Sequence, residues 1–380
     1  MLNNWRNTAS AGILLAASFL AQAQAQAKEY TFSSFLQPDH LQTVYAHVPW
    51  IEAIKERTKG EVTFKLYTGG SILPGVGVLK GLAQGVADGG FVTAGYVPAE
   101  MPLWNVIGDM GWQVPDDFVV ALAATEFGLM DKYGMVDWVK NHVVYLGTTS
   151  TPIYHYMCKG QPKNLADFKG LRIRTPGNVW ARFAEYIGAV PVNLPFTEVY
   201  TGLERRALDC GNLDPTLLIE GAKVGEVIDS VNLLKMGPFF SQATWTFNEK
   251  FWGALTTEQR KIIFEESARS IVRYQVEQTN TVIARNVEGA KKKGIKFNEP
   301  GADLQAAYDK FVAGGLGGLK DIAKQRNVPD YEEGLAHFTA LVDKWNGLIA
   351  KVDRNDKEAL YKLVMTEIYD KLDPATYRVK

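Results

Sequence analysis

The sequence predicts an α/β protein built as two lobes, and three observations carry that reading. Short alternating apolar stretches recur with amphipathic stretches between them, which is the strand–helix–strand rhythm of a layered α/β fold. One unit is used twice: VLKGLAQGVADGGF from Val78 and VYTGLERRALDCGN from Val199 share Val78/Val199, Gly81/Gly202, Leu82/Leu203, Asp88/Asp209 and Gly90/Gly211 at a constant offset of 121. Each copy reads as a helix, an Asp turn and a strand. Finally, a helical pattern runs unbroken from Thr256, where Thr256-Thr257-Glu258-Gln259 resembles a capping box, to Lys293 before Gly294. At 1.5 Å per residue it extends roughly 55 Å, which suits a spine crossing both lobes.

Taken in order, the chain opens with a secretory signal over residues 1–27. Arg6 precedes the apolar run Ala9 to Ala21, and Ala-Gln-Ala triplets then offer small residues for cleavage after Ala23, Ala25 or Ala27. Ala27 is favoured because the strand-like Tyr30-Thr31-Phe32 follows directly. The run is shorter than the roughly 20 residues that span a bilayer, and no cysteine at the cleavage site invites a lipid. The expected location is the periplasm. Glu29 to Phe35 reads as a strand, Leu41 to Thr58 as a helix, Glu61 to Tyr67 as a strand, and Gly89 to Thr93 as another. Met101 to Asp117, rich in Met, Trp, Gly and Pro, reads as a cover loop, and Phe118 to Lys140 as mostly helix. Strands at Val143 to Leu146 and Ile153 to Cys158 flank Gly147-Thr148-Thr149-Ser150, small polar residues suited to a hinge. Leu304 to Lys380 is helical and amphipathic. The lobes expected are residues 28–149 with about 238–275, and residues 150–237 with about 276–380.

Between Asn164 and Asp214 lies a compact β-α-β-α-β unit. Leu171-Arg172-Ile173-Arg174 alternates, so the aliphatics share one face and the arginines the other. Thr175-Pro176-Gly177 breaks the strand and Asn178 starts a helix carrying Val179, Phe183 and Ile187. Arg174 therefore ends a strand beside a helix start, where a guanidinium and free backbone N–H groups can hold an anion. Arg172 reads as a surface ion pair, and Glu204-Arg205-Arg206 as an exposed face. Tyr154 and Phe196 are candidates for a pocket wall.

The catalytic search finds no GxSxG, HExxH, GxxxxGK[ST] or CxxC pattern, so neither an enzyme, a metal site nor a cofactor is expected. His40 and His47 read as surface or packing residues. A net charge of −1 gives no electrostatic case for nucleic acid or an anionic membrane. Cys158 and Cys210 fall on strands of one lobe; two buried thiols are favoured over a disulfide, which an oxidising compartment permits.

NLADFKGLRIRTPGN, GAVPVNLPFTEVYTGLERRALDCGN and FNEKFWGALTTEQRKII resemble the DctP-like solute-binding proteins of tripartite ATP-independent periplasmic (TRAP) transporters, over essentially the whole mature chain. The resemblance implies two α/β lobes with mixed sheets, a hinge and a long helix touching both. It also implies a monomer that closes on an organic acid and delivers it to membrane permease subunits. Arg174 matches the arginine that pairs with the ligand carboxylate, and Phe196 an aromatic beside the ligand. The asparagine position of the family holds Leu213, with Asn212 one residue earlier and Asp214 one later. Thr93 and Tyr96 stand where sialic-acid receptors place charges. A second arginine of the family is replaced by Ile153, with Tyr154 and His155 beside it. That departure favours a monocarboxylate with an aromatic, hydroxy or keto group over a dicarboxylate or sialic acid. A ligand-sensing component of a signalling system and a secreted enzyme are the alternatives.

Overall fold

The structure, a computed structural model, describes residues 28–379; the signal sequence expected at 1–27 lies outside the described residues. Along the chain come β1 (Lys28–Ser33), α1 (Val48–Arg57), β2 (Val62–Tyr67), α2 (Val78–Ala83), β3 (Gly89–Thr93), α3 (Pro102–Gly108), α4 (Asp117–Met130), α5 (Val136–Lys140) and β4 (Val143–Tyr145). Then follow β5 (His155–Cys158), β6 (Arg172–Thr175), α6 (Asn178–Tyr186), β7 (Val190–Asn193), α7 (Val199–Glu204), β8 (Cys210–Leu213) and β9 (Ser230–Asn232). The chain ends with β10 (Gln242–Asn248), α8 (Glu249–Ala254), α9 (Thr257–Glu277), α10 (Ile283–Lys292), β11 (Lys296–Asn298), α11 (Ala302–Ala313), α12 (Gly315–Gln325), α13 (Tyr331–Ile349) and α14 (Lys357–Glu367).

Two mixed sheets result, ordered β2-β1-β3-β10-β4 and β11-β9-β5-β8-β6-β7. β10 runs antiparallel to β3 and β4, and β5 antiparallel to β8 and β9. The repeated unit occupies equivalent places in the two sheets. Asp88 accepts the Thr31 amide at 2.8 Å, locking α2–β3 to β1, and Asp209 accepts the Arg172 amide at 2.8 Å, locking α7–β8 to β6. Gly90 lies beside Ser33, and Gly211 beside Arg174, in the two parallel pairs. A Cβ on Gly90 would stand 2.9 Å from the Ser33 carbonyl, so this close approach requires glycine.

The chain leaves the first sheet after β4 and returns as β10. Around the outward crossing Thr148, Thr149 and Ser150 are buried and satisfied: the Thr149 hydroxyl lies 3.0 Å from Gln42 Oε1, and Ser150 Oγ donates to the Asp117 carbonyl at 2.6 Å. The long helix forms, with its hydrogen bonding widened to a π-turn at Gln278–Val282. α9 packs on α1 in the first unit and α10 on the Pro215–Leu217 turn of the second, so it is a shared spine.

Three expectations are corrected. Met101 to Asp117 is not a cover loop: it forms α3 and a buried turn that sends Trp112 into the core around Trp180 and Phe183. The end of the chain was expected to join the second lobe. Of that stretch α10, β11 and α11 pack there, whereas α12 to α14 contribute Leu319, Leu335, Phe338, Trp345 and Leu360, and the turn after α14 Tyr369, to the first core. The physical reason is α4, buried along nearly its whole length, which needs the apolar face of α13 as cover. Cys158 and Cys210 are a disulfide rather than two thiols, because they face each other across the β5–β8 ladder.

Candidate functional site

Both sheets present strand ends to one cleft, the usual ligand position in α/β folds. The first contributes Phe35 after β1, Thr93 closing β3 and Tyr96 beyond it; the second contributes Arg174, Pro176 and Asp214. Tyr154 and Phe239 enter from the crossings and Tyr274 from the spine. Between these walls the cavity is narrow, about 50 Å³.

Arg174 is the centre of this site. Only 2% of it is exposed, although it carries a full charge. Its Nε donates to the Leu194 carbonyl at 3.1 Å and its Nη1 to the Asn212 carbonyl at 3.2 Å. These carbonyls aim the guanidinium without neutralising it, and no carboxylate of the described residues pairs with it. A buried charge held only by neutral dipoles is costly unless a counter-ion joins it. Its strand neighbour Arg172 differs: it is half exposed and forks onto Asp209 at 2.9 and 2.8 Å, the surface ion pair expected of it.

Asp214, 3% exposed, lies on the same cavity. Its Oδ1 accepts the Thr216 amide at 2.9 Å and the Thr216 hydroxyl, which leaves Oδ2 without a donor from any other described residue. Burial pushes its pKa up to about 6, against the Thr216 hydrogen bonds. Burial also raises the Tyr154 phenol, on which the charges of Arg174 and Asp214 both act.

The two units touch across the mouth. The Phe196 amide donates to the Tyr96 hydroxyl at 2.8 Å, His40 stands edge-on to the Phe196 ring at 5.2 Å, and Lys223 pairs with Asp39 at 3.1 Å. Burial lowers the His40 pKa to about 4, with Asp39 opposing.

Of the residues expected here, Arg174, Phe196, Tyr154, Asp214, Thr93 and Tyr96 do line the cavity. Asn212 does not: its side chain is wholly buried without a hydrogen-bond partner among the described residues, and only its carbonyl reaches the site. His155 does not either. One residue beyond Tyr154 in extended chain, it points the opposite way, with Nδ1 3.0 Å from the Leu234 carbonyl. Ile153 bridges Pro238 and Leu213 is core. The sequence reading missed Gln42, Tyr274 and Gln242, which no local motif marks, and set aside His40 as surface or packing.

Comparison with known proteins bears on the family and the fold. The model of the DctP family, described as bacterial extracellular solute-binding protein, family 7, matches residues 32–313. This is the family that the motifs resemble. The 2,3-diketo-L-gulonate-binding periplasmic protein YiaO of Escherichia coli is 24% identical over 64% of this chain and 73% of its own. The sialic acid-binding periplasmic protein SiaP of Vibrio cholerae is 24% identical over 68% and 81%. Among solved structures, a TRAP solute-binding protein from Rhodoferax ferrireducens in complex with copurified benzoate superposes with TM-score 0.75 at 18% identity, covering 85% of this chain and 99% of that one. Another from Bordetella bronchiseptica, with bound (R)- and (S)-mandelate, gives 0.70 at 23% identity over 83% and 99%.

Proposed function

Since the chain belongs to the bacterial extracellular solute-binding proteins of family 7, we propose that it is the periplasmic receptor of a TRAP-type transporter. In this reading it captures an organic acid in the cleft as a monomer and delivers it to a membrane permease, without catalysing a reaction or using a cofactor or metal. The observation that carries the reading is Arg174: a buried guanidinium on the cleft, aimed by two carbonyls and ion-paired with no carboxylate of the described residues. A ligand carboxylate supplies the missing anion as a charge-assisted pair. The solved relatives with benzoate and mandelate, and one with orotic acid, hold acids on the same fold.

Arg174 being the only lysine or arginine of the described residues on the cleft and Phe35, Phe91, Phe196 and Phe239 lining it, the site suits a monocarboxylate with an apolar or aromatic body. Contacts across the mouth bury the ion pair once the units close. No helix among the described residues is long and apolar enough to cross a membrane, and we assign residues 1–27 as the export signal.

Mass spectrometry of small molecules released from the purified protein identifies the solute, and calorimetric titration of that solute tests the anchor. Arg174→Ala is expected to weaken binding at least a hundredfold while the circular dichroism spectrum stays unchanged. Loss on this scale corresponds to about 3 kcal/mol or more, as for removing one partner of a desolvated pair. An Arg174→Ala protein that binds like the wild type sinks the assignment.

A further inference from the structure

Arg174 and Asp214 form an unusual pair. Both line the same cavity, both are almost wholly buried, and they carry opposite charges, yet no ion pair within 4.0 Å joins them. Each is held in place by its own strand end. Arg174 is fixed by the Leu194 and Asn212 carbonyls, and Asp214 by the turn at Pro215–Leu217, which it caps through Thr216. Fixed opposite charges in a low-dielectric cavity form a dipole that a ligand must match at both ends.

We propose that the solute is an acid that also carries a hydrogen-bond donor, a hydroxyl, N–H or ammonium group, with its carboxylate on Arg174 and its donor on Asp214. The inference rests on the carboxylate-binding reading above and narrows it. A plain carboxylate satisfies Arg174 but fills the cavity beside Asp214 without offering Oδ2 a donor, and it brings a second anion towards that carboxylate. A keto oxygen beside the carboxylate presents lone pairs to Asp214 and adds repulsion. A donor-bearing acid satisfies both ends, and sites built to bond a ligand O–H or N–H reject the analogue lacking it far more strongly than apolar pockets reject a missing methylene. The neighbouring Tyr154 phenol, raised by burial, stays neutral and does not compete as a charge. Near pH 7.5 the Asp214 carboxyl is mostly ionised, hence an acceptor.

Matched acids differing in one group test this: phenylacetate, mandelate, benzoylformate and phenylglycine, together with benzoate and 3-hydroxybenzoate. Each is titrated calorimetrically into the wild type, Asp214→Ala, Asp214→Asn and Arg174→Ala at pH 7.5, with thermal melts to verify folding. The wild type is expected to bind mandelate or phenylglycine at least tenfold tighter than phenylacetate, and benzoylformate no tighter than phenylacetate. Asp214→Ala should erase the preference. Asp214→Asn keeps the Thr216 contacts and loses the charge, so it should erase any preference for phenylglycine even if the alanine variant is unstable. Comparing mandelate with phenylglycine tells hydroxyl from ammonium. Acids that bind through Arg174 equally well with and without a donor overturn the proposal and leave the carboxylate reading standing. Binding that survives Arg174→Ala overturns both.

Discussion

Asp109 is a buried carboxylate between the two units. It lies in the turn after α3, only 4% exposed, and its Oδ1 accepts the Val179 amide at the start of α6 from 3.2 Å. Burial pushes its pKa up to about 7, and the Val179 hydrogen bond and the positive fields of Arg182 and Arg326 only partly offset this. In the unfolded chain the group titrates near 3.9. The folded state therefore binds more protons between those values, so stability is full at low pH and is lost as pH rises through 7. Asp109→Asn keeps an acceptor for Val179 and removes the titration. Urea denaturation at pH 5 and pH 8 should show the variant gaining on the wild type by roughly 2 kcal/mol across that range. A difference independent of pH would show that Asp109 carries no buried charge. The sequence marks Asp109 in no way, since an Asp in a Met- and Trp-rich stretch reads as loop polarity until Val179 arrives from 70 residues away.

At the level of elements, the disulfide encloses the stretch that holds the site. Cys158 in β5 and Cys210 in β8 are separated by 52 residues, and the loop they close contains β6 with Arg174, α6, β7 with the turn to Phe196, and α7. Closing a loop of that length restricts the unfolded chain by up to about 4 kcal/mol. Replacing both cysteines with alanine, or reducing the protein, should lower the unfolding free energy by about 2–4 kcal/mol while the folded protein still binds its acid. Urea titrations with and without reductant measure it; coincident curves would refute the contribution. The β-α-β-α-β unit itself was legible, because alternation at Leu171 to Arg174 and stops at Gly177 and Gly188 are local signals. The disulfide was not, since the β5–β8 register is a long-range fact. The spine was legible for the same local reason, whereas its π-turn at Gln278–Val282 has no Pro or Gly to announce it.

For the whole molecule, the repeated helix–Asp–strand unit disclosed two similar sheets, and the strand ends of both copies, at Thr93 and Asp214, line the cleft. What remained hidden is how the C-terminal helices are shared, because an amphipathic helix declares that it has a partner without saying which one. Residues beyond 313 lie outside the family match, yet α13 covers α4 and inserts Phe338 and Trp345 into the first core. Trp345 Nε1 donates to Glu126 at 2.8 Å, and Lys344 Nζ reaches both oxygens of that buried carboxylate at 2.8 Å. Farther on, the Tyr369 hydroxyl donates to the Leu146 carbonyl at 2.8 Å and the Tyr377 hydroxyl to the Tyr145 carbonyl at 2.9 Å, at the strand leading into the crossing. The C-terminal segment thus secures both the first core and the strand end from which the chain crosses to the second unit. Trp345→Ala should cost about 3–5 kcal/mol, from the cavity together with a Glu126 left short of a donor. Ending the chain after Gly314 should do more: calorimetry is expected to show the first unit melting early or not folding, with the disulfide-closed second unit melting separately. A truncated chain that melts in one transition at the full-length temperature would mean these helices are an ornament on a fold complete without them. The burial of Leu335, Phe338, Trp345 and Leu360 argues that they are part of it.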